Sequence, residues 1–160
     1  FGAALPEPVF GGDDVTLTHG FPNAHRLRDA DFTLIGVPAK RAAALRGLAA
    51  AVDDGVIDFS HAPVELVRRL QELPGIGEWT AQYIVMRALR DPDALPFGDL
   101  VLRKMLGGER AMAPRAVEQH AEAWRPWRAY GLIHLWAMAT EKSRGKRERK
   151  TNLEHDKAGE

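Results

Sequence analysis

The sequence has no cysteine among its 160 residues, and this absence excludes several kinds of chemistry. Disulfide bonds, thiol nucleophiles, cysteine-ligated zinc and iron–sulfur clusters all need a thiol that this chain does not have. The absence is compatible with a reducing compartment, in which disulfides are rare. We therefore expect a cytoplasmic protein.

Long apolar runs are also missing. No stretch approaches the roughly 18 apolar residues that a membrane-spanning helix requires. The first residues, Phe1-Gly2-Ala3, include neither an initiator methionine nor the basic-then-apolar pattern of a signal sequence. The sequence therefore predicts neither membrane insertion nor secretion.

An excess of charge of one sign is missing overall, because 22 Lys and Arg balance 22 Asp and Glu. The two halves nevertheless differ: residues 1–99 carry 9 basic and 14 acidic residues, and residues 100–160 carry 13 and 8. Residues 141–150 hold six basic and two acidic residues and no apolar side chain. We predict a disordered basic tail over 141–160, which either solubilises the chain or grips nucleic-acid phosphates non-specifically.

The residue pattern predicts an all-α fold of six or seven helices, since no stretch shows convincing strand alternation. Glycine and proline are dense in residues 1–21, so we predict an irregular lead-in there. The helical domain then extends over 22–140. Its predicted elements are a short turn at 23–31, a helix after Asp99, and helices at 39–52, 63–72, 78–89, 114–123 and 126–140.

Two of these helices are joined by the turn Leu73-Pro74-Gly75-Ile76-Gly77, which gives a helix-hairpin-helix over 63–89. Gly75 and Gly77 permit positive φ and let another backbone approach closely. The exposed amides and the positive end of the next helix suit a phosphate oxygen, to which Thr80 can add a donor. The alternative is a tight connection between helices with no ligand.

Large aromatic side chains recur after the turn. Trp79, Tyr83 and Met86 share one helix face at i, i+4 and i+7, which is equally consistent with a core or a pocket. Asp99 precedes another helix, and taken alone it is an N-cap. The helix dipole also favours its anionic form there.

These segments resemble a known family when they are taken together: Leu73 to Tyr83, Asp99 at 20 residues after Trp79, Trp124 to Tyr130, and His134-Leu135-Trp136. They are similar to the helix-hairpin-helix DNA glycosylase superfamily, and within it to bacterial 3-methyladenine DNA glycosylase II of alkylation repair. Residues 19–22 and 36–43 are similar as well. The resemblance covers roughly residues 1–140.

The resemblance implies an enzyme that flips an alkylated purine out of duplex DNA and hydrolyses its N-glycosidic bond. Asp99 matches the essential carboxylate of the family. Trp79, Tyr83 and Trp136 match positions that line or support the base pocket. Gly75, Gly77 and Thr80 match the phosphate-binding hairpin. The implied partner is double-stranded DNA containing alkylated bases, and we expect a monomer.

Bifunctional relatives carry a lysine nucleophile just after the hairpin, where this sequence has Glu78-Trp79-Thr80. We therefore predict a monofunctional glycosylase, with no Schiff base. No organic cofactor is implied, and the histidine spacing does not match a divalent metal site. In relatives a monovalent cation is held by backbone carbonyls, which match Gln71, Leu73 and Ile76 here.

The catalytic domain of the family begins with helices upstream of the point where this sequence starts, so the resemblance predicts an incomplete domain. The alternative function is a non-catalytic helix-hairpin-helix DNA-binding module left by truncation. Such a module would need the hairpin glycines but not Asp99. The presence of both favours the glycosylase.

Overall fold

The computed structural model describes residues 2–10 and 16–158, with side chains at 2–4 and 18–145. It divides into two compact units, Phe1–Gly77 and Glu78–Glu160, and each is described separately. Both consist mainly of helices, so the predicted all-α class is confirmed apart from one short strand pair.

That strand pair lies in the segment for which the sequence predicted only an irregular lead-in, and this prediction was wrong for the described residues. Strand β1 (Ala4–Phe10) pairs antiparallel with β2 (Thr16–His19), and the register is irregular between Ala4 and Val9. The irregular part contains both prolines of β1, which have no amide N–H to donate to a ladder. Proline therefore excluded a regular ladder here, but not a pair of strands.

After the strands, the described part of the first unit forms three helices and a short 3-10 helix. Helix α1 spans Ala24–Leu27, α2 spans Ala39–Asp53, and α3 spans Pro63–Gln71. The 3-10 helix spans Phe32–Ile35. Asp31 is its N-cap, and the Asp31 carboxylate accepts a 3.0 Å hydrogen bond from the Thr33 amide. The bounds of α2 and α3 agree with the predicted helices to within one residue, whereas α1 ends four residues before the predicted turn at 23–31 does.

Small side chains bring the elements of this unit close together. Phe32 packs in one cluster with Ala30 and Ala42, and partly buried Leu27 and Val37 surround it. At the surface Arg28 binds Asp53 and Asp54, and its hydrogen bond holds the pKa of Asp53 below the usual range. Exposed ion pairs of this kind add little to the free energy of unfolding. The apolar cluster around Phe32 therefore stabilises this unit more than the Arg28 ion pairs do.

The described residues of the second unit, 78–158, form four helices and a 3-10 turn. Helix α4 spans Glu78–Ala88, α5 spans Leu100–Gly107, α6 spans Pro114–Ala121, and α7 spans Arg128–Ala158. A 3-10 turn at Glu122–Trp124 leads towards α7, and α5 packs against both α6 and α7. The fully buried apolar side chains of this unit include Val85, Leu102, Val117 and Leu132.

Helix α7 continues through the segment that the sequence predicted to be a disordered tail, so this prediction was wrong for residues 141–158. Arg, Lys and Glu are good helix formers, and a helix that has already begun adds each further residue without a new nucleation step. The missing apolar residues argued against a core in this segment but not against a helix. None of the helices in the described ranges is long and apolar enough to cross a membrane.

Leu132 and Ile133 are neighbours in α7 and test which face of this helix forms the core. Leu132 is fully buried, whereas Ile133 is 46% exposed. We predict that Leu132→Ala lowers the free energy of unfolding by about 2–5 kcal/mol, because a buried cavity forms. The control Ile133→Ala should cost much less in the same denaturant titration. Equal losses would contradict the assigned core face.

Candidate active site

Asp99 is the one charged residue among the buried side chains of the described residues, with 8% of its surface exposed. It occupies the N-cap of α5, where its Oδ1 accepts a 2.7 Å hydrogen bond from the Leu102 amide. The capping role suggested by the sequence is therefore present. A cap needs only one of the two carboxylate oxygens.

Two tryptophans from different helices also donate to this carboxylate. The Nε1–H of Trp79 on α4 donates to Oδ2 at 2.9 Å, and the Nε1–H of Trp136 on α7 donates to Oδ1 at 3.1 Å. Hydrogen bonds to an ionised acceptor are stronger than bonds between neutral groups. Asp99 is therefore fixed by three donors from α4, α5 and α7.

The same tryptophans form an aromatic wall with Tyr83. Trp79 and Tyr83 lie one helical turn apart on α4, and their rings stack at 5.1 Å with planes 7° apart. Tyr83 also contacts Trp136, with ring centroids 6.2 Å apart and planes inclined by 47°. The i, i+4 spacing recognised in the sequence thus places both α4 rings on one side of Asp99.

Carboxylate and rings together line a pocket of about 400 Å³. This volume lies in the usual range of small-molecule sites. The sequence prediction included four of its lining residues and missed three, Val101, Ala139 and Thr140. Helical spacing could have predicted two of the three, because Ala139 and Thr140 follow Trp136 by three and four residues and so share its face of α7.

The loop that leads to Asp99 is held from several sides. The Ala129 amide donates to the Pro92 carbonyl at 2.9 Å, and Arg128 Nε donates to the Asp93 carboxylate at 2.7 Å. Gln82 Oε1 accepts from the Leu95 amide at 3.2 Å. These bonds tie the loop to α4 and α7, which also carry the indoles.

Glu78 is a second carboxyl group beside this loop. Burial raises its pKa and nearby Glu118 raises it further, while a hydrogen bond from the Gly98 amide acts in the opposite direction. Its Oε1 is buried and has no hydrogen-bond partner among the described residues. The sequence analysis gave this residue no role of its own and named it only in the segment Glu78-Trp79-Thr80, where bifunctional relatives carry a lysine.

The two hairpin glycines have different structural reasons to be glycine. Gly75 adopts φ +88°, and a Cβ there would lie 2.8 Å from the Ala44 Cβ. Gly77 has no positive φ, and a Cβ there would meet no atom within 4 Å. Neither amide donates a hydrogen bond within the described residues. Thr80 lies half-buried in the first turn of α4, which belongs to the other unit.

The carbonyls proposed to hold a monovalent cation remain a prediction. The Ile76 amide donates to the Leu73 carbonyl at 3.1 Å, so one of these oxygens already accepts a hydrogen bond inside the turn. Carbonyl oxygens have two lone pairs and can accept a second partner. In the described part of the chain, no three His, Asp or Glu side chains lie close enough to hold a metal ion.

The aromatic residues just ahead of α7 and in its first turn differ from one another. Trp124 is half-buried and packs over Gly131, where a Cβ would come within 3.0 Å of its ring. Trp127 and Tyr130 are 58% and 62% exposed and contact each other edge to face. The resemblance motif thus combines one packing residue with two surface rings.

Sequence comparison finds relatives that are named as a DNA repair enzyme and as a DNA-3-methyladenine glycosylase. It is 40% identical over 125 residues to the probable bifunctional transcriptional activator/DNA repair enzyme AlkA of Mycobacterium tuberculosis, covering 75% of this chain and 25% of that protein. It is 37% identical over 121 residues to DNA-3-methyladenine glycosylase 2 of Escherichia coli, covering 72% and 42%. The chain thus spans less than half the length of either relative. No protein-family model matches it.

Solved structures agree with this. A Schizosaccharomyces pombe 3-methyladenine DNA glycosylase in complex with abasic DNA matches with a TM-score of 0.69 and 26% identity, over 75% of this chain and 64% of that one. The Archaeoglobus fulgidus 3-methyladenine DNA glycosylase shares the fold, with a TM-score of 0.68 at 20% identity over 84% and 48%. The chain is therefore homologous to the helix-hairpin-helix DNA glycosylases. Within them its homologues are the 3-methyladenine glycosylases, as the sequence motifs indicated.

The contrast between the hairpin glycines gives a stability prediction. Gly75→Ala should destabilise the first unit, because it combines a left-handed backbone with a close contact to Ala44. Gly77→Ala should change the free energy of unfolding little. Thermal melts of both variants would check this, and a Gly75→Ala protein as stable as the parent would contradict the turn geometry.

Proposed function

We propose that this chain carries the base-excision chemistry of a monofunctional DNA glycosylase that releases alkylated purines of the 3-methyladenine type. The observation that carries the proposal is the Asp99 carboxylate, buried in an aromatic pocket and held by two indole N–H groups. An anion fixed beside electron-rich ring faces suits a reaction in which positive charge develops on a sugar. Homology to 3-methyladenine glycosylases supports the same reaction.

The proposed reaction is hydrolysis of the bond between the sugar C1′ and the purine nitrogen. The bond breaks with its electron pair leaving on the purine, and water supplies a hydroxyl group to C1′ and a proton to the surroundings. Asp99 stabilises the oxocarbenium character at C1′ and orients the water. Purines alkylated at N3 or N7 are cationic and leave easily, so the site needs little general acid.

The aromatic wall is the proposed binding surface for the flipped base. Indole and phenol faces carry negative electrostatic potential and attract a flat cation through stacking and cation–π contact. Trp79 is 40% exposed and stacks on Tyr83, so one broad ring surface is accessible at the pocket. These features favour cationic purines over neutral bases of the same size.

The proposed enzyme is monofunctional because its pocket offers no amine. The described residues that line it include no lysine. The segment Glu78-Trp79-Thr80 stands just after the hairpin, where bifunctional relatives carry theirs. Schiff-base formation needs such a nucleophile. The product should therefore be an abasic site in an intact strand.

Duplex DNA is the proposed partner, and the hairpin is its proposed phosphate-binding element. The Gly75 and Gly77 amides, both in the first unit, are free of intrachain hydrogen bonds within the described residues, so two donors are available for a phosphate oxygen. We further propose that a monovalent cation at the carbonyls of Gln71, Leu73 and Ile76 braces this turn. The reaction itself requires no cofactor in this scheme.

A DNA-binding module without catalysis explains less. Such a module would need the hairpin but no buried carboxylate, and a buried charge is costly unless it is paired or hydrogen-bonded. Three donors converge on Asp99 although an N-cap requires one. The excess of donors favours an enzyme.

Asp99→Asn tests the proposed chemistry. Asparagine keeps the Oδ1 acceptor of the N-cap but places an N–H₂ group opposite the Trp79 indole N–H, which then loses its acceptor. The stability loss should therefore be about 1–3 kcal/mol, the cost of one unpaired buried donor. Loss of the charge should lower the single-turnover rate of base release from alkylated duplex DNA by a factor of about 100 or more. Asp31→Asn, at the cap of the 3-10 helix, is the matched control and should release base at the parent rate. An Asp99→Asn variant as fast as the parent would remove Asp99 from the mechanism.

Gly77→Ala tests the hairpin. The added methyl group meets open space within the chain, so it interferes with a partner rather than with folding. We predict weaker binding to damaged and undamaged duplexes alike, because phosphate contacts carry no sequence information. Gly47→Ala, at an exposed helical glycine with equally open surroundings, should leave DNA affinity unchanged. Loss of affinity for only one class of duplex would contradict phosphate binding.

A further inference from the structure

Glu78 has a contact with the loop before Asp99 that its position in the sequence does not require. It is the first residue of α4, and its carboxyl group lies against Gly98, whose amide acts on it as a donor that lowers its pKa. A Cβ on Gly98 would lie 3.3 Å from Glu78 Oε2, so the backbone passes close to this oxygen. The side chain therefore reaches across to the residue that precedes Asp99.

The next residue on each segment makes a second contact. Trp79 follows Glu78 on α4, and its indole N–H donates to Asp99, which follows Gly98. Two consecutive residues of α4 thus bind two consecutive residues of the loop, one through its backbone and one through its side chain. A pair of adjacent contacts fixes both the separation and the orientation of the two segments, whereas a single contact would leave rotation free.

We propose that Glu78 is a positioning residue that aligns the Asp99 carboxylate with the Trp79 indole by holding the Gly98 amide. This role deepens the proposed base-excision function and rests on it. Glu78 does not line the pocket that Asp99 and the aromatic rings share, so it acts through the loop rather than on the base. Misplacement of a reacting group by about 1 Å can lower the rate by a factor of about 100. Loss of the Glu78 contact can therefore have a measurable effect on the rate of base release.

The burial of Glu78 is consistent with this role and difficult to explain without it. Its Oε1 is enclosed and makes no hydrogen bond among the described residues, and burial of an unpaired polar atom costs free energy. A glutamate serving only the helix dipole could point into solvent at no such cost. One carboxylate oxygen is turned inward, and the other lies beside the backbone of Gly98.

The experiment compares Glu78→Ala with Glu78→Gln in the full chain. Alanine removes the acceptor for the Gly98 amide, whereas glutamine retains a carbonyl oxygen that can accept it. Glu118→Gln is the control, because Glu118 acts on Glu78 only through its charge. The measurements are single-turnover release of base from alkylated duplex, affinity for undamaged duplex, and hydrogen exchange at the Trp79 indole N–H followed by NMR.

We expect Glu78→Ala to lower the release rate by about tenfold or more and to speed exchange at the Trp79 indole, with affinity for undamaged duplex changed little. Glu78→Gln should recover most of the rate and the protection, and Glu118→Gln should match the parent. The proposal is overturned if alanine leaves rate and indole exchange unchanged. It is equally overturned if glutamine loses as much as alanine, since the acceptor would then not be the cause.

The indole measurement separates this proposal from the proposed function. If the parent releases no base, the base-excision proposal fails, yet faster Trp79 exchange in Glu78→Ala alone would still support the positioning role. If the parent is active and hydrogen exchange at the Trp79 indole is the same in Glu78→Ala as in the parent, only the positioning role fails. Should Glu78→Ala prove too unstable to measure, the comparison of parent and Glu78→Gln decides, because a glutamine variant without rate or protection contradicts the proposal.

Discussion

The hydrogen bonding of a single carboxylate organises the second unit. Asp99 accepts from the Leu102 amide on α5, from the Trp79 indole on α4 and from the Trp136 indole on α7. Each donor comes from a different helix, so the buried charge is satisfied only when all three helices are in place. Because an unsatisfied buried charge is expensive, folding and assembly of the pocket are coupled.

This arrangement also fixes the aromatic rings. An indole that donates to Asp99 cannot rotate freely, and Trp79 then presents its face to Tyr83 at 5.1 Å. The rings are therefore oriented before the proposed substrate base binds, which reduces the entropy cost of that binding. A preorganised carboxylate and a preoriented ring wall are what a reaction with a short-lived cationic sugar requires.

Sequence reasoning found the main parts of this site but not how they are joined. The i, i+4 spacing of Trp79 and Tyr83 and the N-cap position of Asp99 are local features, and they could be predicted. The bonds from Asp99 to Trp79 and Trp136 span 20 and 37 residues, and only the family resemblance suggested that these residues meet. The strand pair at the start was missed because its irregular register is a long-range property. The helix over 141–158 was not predicted because the segment has few apolar residues. Low apolar content argues against a packed core but not against a helix that continues from residue 140.

Residues of the same type at this site have acquired separate tasks, which composition and spacing alone cannot reveal. Gly75 must be glycine because of its positive φ and its closeness to Ala44. Gly77 has neither constraint within the chain, so only close approach of a partner would explain a glycine there. The two acids differ likewise: the Asp99 oxygens accept from three donors, whereas one Glu78 oxygen is buried and finds no partner among the residues that the structure describes. A fully satisfied carboxylate is stabilising, while a partly satisfied one is retained at a cost. Glu78, beside the loop, therefore bears the cost of an unpaired buried oxygen, whereas Asp99, in the pocket, does not. The carboxylate that the proposed reaction uses is the one with the more complete set of hydrogen bonds.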